Sequence, residues 1–144
     1  MFTNRLWYIL LALVILSFLI LSVARGEEVD MSIIAQIESG GNPYAYNPKS
    51  GAVGLYQITP ICLEEYYLDG LTMADMYNPQ LSLKVANWYM NRRIPKMLKY
   101  YNIPDTIENR LFAYNAGIGK VIKGIKPKET INYIKKYKRL ARKK

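Results

Sequence analysis

The chain has 144 residues, 51% of them hydrophobic, and a net charge of +9, which allows one domain with a buried core and an attraction to polyanions. It contains no histidine, which excludes Ser-His-Asp and Cys-His nucleophile systems and histidine-ligated zinc. Cys62 is the single cysteine, so no internal disulfide and no cysteine metal cluster can form, and acid chemistry falls to Asp, Glu, Tyr or Lys.

Leu6 to Val23 is a run without charge, preceded by Arg5 and followed by Arg25, Glu27, Glu28 and Asp30. It predicts a signal peptide or a signal-anchor helix over residues 1–26. Ser22-Val23-Ala24 offers small residues for cleavage, while the length suffices to span a bilayer. Both alternatives make the rest an exported domain, periplasmic or extracellular. That domain is expected over 27–134, with a basic helix end or tail over 135–144.

Ile33, Ile34 and Ile37 fall at helical spacing after Asp30, a good N-cap, and Gly40-Gly41 stop this helix. Residues 42–54 are rich in Gly, Pro, Asn and Ser and predict a loop. Thr59-Pro60 opens a short helix to about Tyr66, in which Cys62 reads as a small buried hydrophobe. Thr72 with Asp75 begins another turn. Asn78-Pro79 starts what reads as the longest helix, with Leu81, Val85, Trp88 and Tyr89 on one face, and Pro95 kinks or ends it. Thr106 starts a helix through Ile107, Leu111 and Tyr114 that Gly117 terminates. A short segment follows near Lys120 to Lys123. The last helix begins near Glu129, with Ile131, Ile134 and Tyr137 as its apolar positions. The expectation is an all-α, compact domain behind an N-terminal hydrophobic helix.

Glu38 falls in the last turn of the first domain helix, at the negative end of the helix dipole and beside apolar residues. Both settings raise a carboxyl pKa, which suits a general acid working near neutral pH. The alternative is a solvated residue before a Gly-Gly turn. Glu64, Glu65, Asp69 and Asp75 read as surface carboxylates, so Glu38 lacks an obvious catalytic partner.

Four strings stand in order: Glu38-Ser39 before a glycine turn, Gly51-Ala52-Val53-Gly54-Leu55-Tyr56-Gln57, Ala113-Tyr114-Asn115-Ala116-Gly117, and Glu129-Thr130-Ile131-Asn132-Tyr133. Together they resemble the signatures of the lytic transglycosylase (SLT-type) domain of the lysozyme-like superfamily. The resemblance implies a lysozyme-like fold and peptidoglycan glycan strands as substrate. It implies cleavage of the β-1,4 MurNAc–GlcNAc bond to a 1,6-anhydromuramyl product, with Glu38 as the single general acid and base. It also implies that Gln57, Tyr114, Asn115, Glu129, Tyr133 and the loop residue Asn47 line the cleft. Neither cofactor nor metal is expected, and the protein is expected to be monomeric. Three positions depart from the family pattern: Asn47 where serine is common, and Tyr56 and Thr59 where methionine is common.

Each residue has a plainer reading as well. Gln57 could satisfy a turn backbone, Asn115 could cap a helix, Tyr114 could be core, and Glu129 could face the helix dipole. Competing functions are a hydrolytic muramidase similar to goose-type lysozymes and a non-catalytic wall-binding scaffold. A nucleic-acid-binding role rests on the basic tail alone and has no recognition motif behind it.

Overall fold

The computed structural model describes residues 7–15, 28–67 and 69–143. Residues 7–15 form an exposed helix, α1. Most of the segment expected as a signal peptide or anchor lies outside the described residues. Among the described residues, no helix is long and apolar enough to cross a membrane.

The domain is helical. Its α-helices are α2 (Met31–Ser39), α3 (Pro60–Glu65), α4 (Pro79–Trp88), α5 (Ile94–Tyr100), α6 (Ile107–Ala116), α7 (Ile118–Ile122) and α8 (Lys128–Ala141). A 3₁₀ turn spans Met73–Tyr77, and a π-helical segment, Tyr89–Arg93, joins α4 to α5. The cap chemistry follows the sequence. Asp30, Thr59, Asn78 and Thr106 accept backbone N–H groups at the starts of α2, α3, α4 and α6. Gly40 ends α2 in the left-handed conformation, with its N–H returned to the Ala35 carbonyl.

α6 is the central element. Arg110, Leu111, Phe112 and Ala113 are all buried, so it is covered on nearly every side, by α5, α7, α8 and the π segment. Buried Arg110 holds Asp105 through two hydrogen bonds of 2.6 and 2.8 Å, and Asn91 at 3.1 Å. It thereby clamps the π segment to the start of α6. α2 packs against both α4 and α8, and Ile34, Met76, Val85, Met90, Ile94 and Leu98 fill the space between the layers. The core includes Cys62, whose thiol burial pushes up to about 12, as an inert apolar residue requires.

The structure corrects four local expectations. The predicted loop 42–54 contains a small antiparallel hairpin, β1 (Tyr46–Asn47) with β2 (Ala52–Val53). Two residues per strand leave no alternation to read. Pro95 does not stop the helical run. Its ring disfavours ordinary α geometry one turn earlier, and the chain widens into the π segment, with the Ile94 N–H bonded to the Tyr89 carbonyl. Consequently α8, with 14 residues, is the longest α-helix described, not the one starting at Pro79. Finally, Ile131 is 38% exposed, and the inner face of α8 is Thr130, Tyr133, Ile134 and Tyr137, one position out of phase with it. The helix continues through the basic segment, and the hydroxyl of buried Tyr137 accepts the Asp30 N–H at 2.8 Å.

Candidate active site

Glu38 lies in the last turn of α2, one residue before its end at Ser39, because Gly40 takes a φ of 64° that an L-residue adopts at a cost. Its carboxylate meets α8, where the Tyr133 hydroxyl donates to Glu38 Oε1 at 2.8 Å. Glu38 retains some exposure, but burial strips enough water from its carboxyl to raise its pKa from 4.5 to about 7. The Tyr133 hydrogen bond and the Lys136 charge oppose that rise, and the Glu129 charge adds to it. Glu129, Tyr133 and Lys136 are spaced four and three apart and so share one face of α8. Tyr133 is itself buried, and burial together with the Glu38 charge holds its hydroxyl protonated well above the usual tyrosine range.

The second motif is fastened to the first. Ser39 Oγ lies 2.9 Å from the Leu55 carbonyl and 3.1 Å from the Ala35 carbonyl, so its proton ties the end of α2 to the glycine-rich loop. Gly54 sits where a Cβ would come within 2.1 Å of the Met76 carbonyl, and its φ is 81°, so only glycine fits. Gln57 adopts a φ of 49°, and its Nε2 donates to the carbonyls of Ala45 (3.3 Å) and Gly54 (3.2 Å). Both amide protons are thus spent on backbone, and the side chain can offer a ligand only its Oε1 acceptor.

The third motif arrives at the same place. Tyr114 donates its hydroxyl to the Tyr56 carbonyl at 2.8 Å, and its ring meets Tyr89 edge-on, with centroids 6.1 Å apart. Burial and the Glu38 charge raise its pKa well above the usual range. Its hydroxyl is therefore committed, and what it can present is ring surface. Asn115 Oδ1 accepts from Thr130 Oγ1 at 2.8 Å, which leaves its Nδ2 as the donor available to a sugar amide. Glu129 is exposed in the first turn of α8. Asn47 is exposed on the hairpin, where its Oδ1 accepts the Lys49 N–H, and its contacts are those of a turn. Four separate stretches of sequence thus converge on the Glu38 carboxylate and the Tyr56 carbonyl.

A match to the transglycosylase SLT domain extends over residues 23–136. The chain belongs to that family. The resemblance read from the four motifs is borne out, and so is the all-α, lysozyme-like fold. Membership brings lytic-transglycosylase-type activity on peptidoglycan glycan at the level of the family. No solved structure matches the chain. For this SLT domain, Ser39, Tyr89, Thr130 and Lys136 were not singled out by sequence as parts of the site. Lys136 was legible in principle, three residues beyond Tyr133 on one helix face. The partners of Ser39, Tyr89 and Thr130 are set by the tertiary fold.

Proposed function

We propose that this SLT domain cleaves the β-1,4 MurNAc–GlcNAc bond without water, using Glu38 as its single general acid and base. The observation that carries the reading is a largely desolvated carboxyl, raised to a pKa of about 7 and held at Oε1 by the Tyr133 hydroxyl. With Oε1 accepting from Tyr133, the acid proton sits on Oε2. That proton passes to the glycosidic oxygen as the C1–O4 bond breaks. Glu38 is left as a carboxylate that the Tyr133 hydrogen bond stabilises. The substrate's acetamido group stabilises the cationic sugar, a recognised alternative to a second carboxylate. The muramyl 6-hydroxyl then attacks C1 and gives its proton to Glu38, closing the 1,6-anhydro ring and restoring the acid. Proximity favours this internal attack over water. Asn115 Nδ2 and Gln57 Oε1 are suited to hold the acetamido group, and Tyr114 to lie against a sugar face.

Peptidoglycan lies outside the cytoplasmic membrane, so the function requires export, for which Leu6 to Val23 supplies an uncharged segment. Mass spectrometry of muropeptides released from purified wall tests the chemistry. Anhydromuramyl ends are expected, and reducing ends would assign hydrolysis instead. Wall left intact by the folded protein would reject both and favour a binding scaffold.

A further inference from the structure

The outer face of α8 carries a row of cations. Lys135, Lys136, Arg139, Arg142 and Lys143 recur at spacings of three and four and are all exposed, while Tyr133, Ile134 and Tyr137 fill the inner side. Among the described residues, none of the five enters an ion pair. Glu129 is the only carboxylate on the helix. Two concavities of about 400 and 220 Å³ open between these side chains and share Lys135 and Arg139. Core packing of the inner side holds the row in place, over about 10 Å from Lys135 to Arg142.

The N-terminal chain joins the domain at this same helix. Val29 is buried, and the Asp30 N–H donates to the Tyr137 hydroxyl at 2.8 Å. Tyr137 stands between Lys135 and Arg139 in the chain, so the point of entry abuts the basic half of α8. Upstream, Leu6 to Val23 carries no charge. Within that segment α1 leaves Trp7, Leu10 and Leu13 each more than half exposed. An apolar helix without protein cover suits a lipid phase. Val23 is six positions before Val29, at most about 20 Å of extended chain. With the apolar segment in a bilayer, the basic half of α8 is therefore within reach of the headgroups. The connecting residues carry Arg25 against Glu27 and Glu28, so the positive excess at this end comes from α8.

We propose that the outer face of α8 seats the domain on anionic phospholipid headgroups, at the membrane that receives the N-terminal segment. An anionic wall polymer would be drawn by the same charges, but it has no relation to the place where the chain enters, and that place selects lipid. Glu38 is bonded to α8 through Tyr133, so seating α8 also fixes the height of Glu38 above the bilayer. The chain would then act on glycan lying next to the membrane. The surface is separate from the chemistry of Glu38, and the proposal stands whichever reaction Glu38 performs.

Lysine acetylation mapped by mass spectrometry tests it on the full chain reconstituted with vesicles. Lys49, Lys96 and Lys99, exposed on other elements, serve as internal references. Relative to them, Lys135 and Lys143 should be protected on vesicles containing phosphatidylglycerol and not on phosphatidylcholine alone, and high salt should remove the protection. The Arg139→Gln/Arg142→Gln variant keeps both reporter lysines. Each lost cation is worth about fivefold in affinity for an anionic surface, so the protection of Lys135 and Lys143 should fall toward one in the variant. The parent alone can overturn the proposal, which fails if Lys135 and Lys143 follow the reference lysines on anionic vesicles. Protection by isolated wall fragments but not by vesicles would also overturn it and give the face to the wall. Equal protection on both vesicle types would mean that the headgroup charge is not what α8 meets, and would reject it too.

Discussion

Glu38 is the residue on which stability and chemistry oppose each other. Its folded pKa of about 7 lies above the ordinary 4.5, so between these values the folded chain binds more protons than the unfolded one. Stability from this group is fully present below pH 4.5 and is lost as the pH rises through 7. The full shift corresponds to about 3 kcal/mol. Glu38→Gln should therefore lower activity by at least about a hundredfold while keeping the fold. It should also be more stable than the parent at pH 8, by up to about 3 kcal/mol, and gain little at pH 4. Thermal denaturation at the two pH values checks this, and an equal gain at both would sink it. Tyr133→Phe removes an interaction that lowers the Glu38 pKa. The alkaline limb of its kcat/KM profile should move to higher pH, and kcat should fall because the carboxylate formed on proton transfer loses a donor. A pH profile that keeps its midpoint would show that Tyr133 acts on something other than Glu38. Glu38 was legible because a carboxylate before Gly-Gly is a local anomaly. Tyr133 became a candidate only through its motif, because a contact across 95 residues leaves no local trace.

At the scale of elements, helix starts were legible wherever a side chain caps its own helix, as Asp30, Thr59, Asn78 and Thr106 do. The hairpin and the π segment were not, since the first is too short for a period and the second is a response to Pro95 within a packed run. The register of α8 was missed for another reason: Thr130 is buried to hold Asn115, so a polar residue takes a core position and Ile131 is turned outward. The glycines divide the same way. Nothing lies within 4 Å of a Cβ at Gly40, so Gly40→Ala should cost only the left-handed strain, about 1 kcal/mol. Gly54→Ala adds a clash with the Met76 backbone and should cost more than about 3 kcal/mol. Chemical denaturation of the two variants gives the comparison, and similar losses would mean that the loop moves away from the 3₁₀ turn without resistance.

Across the whole molecule, the positive charge is concentrated on α8, whose inner face is core and whose outer face is basic. Lys138 is not free on that face, because it pairs with Glu108 of α6 at 2.7 Å. Leu140 packs against the core, and Tyr137 belongs to it. Cutting the chain at 138 would therefore remove packing together with charge. Neutralising Lys135, Arg139, Arg142 and Lys143 to glutamine avoids this, because all four are exposed. The change brings the net charge from +9 to +5. Glutamine is a good helix former, so α8 should persist. Attraction to an anionic wall is screened over about 10 Å at 0.1 M salt. The fourfold variant should thus adsorb to wall more weakly than the parent at low salt, and the two should converge as salt rises. Cleavage of short soluble glycan should change little, since none of the four bears on Glu38. Sedimentation of the protein with insoluble wall across a salt series measures the first effect, and product release from the short chains measures the second. Equal adsorption throughout would make the basic face a solvated helix surface. A parallel loss on the short chains would mean that the cleft extends along α8 beyond Tyr133.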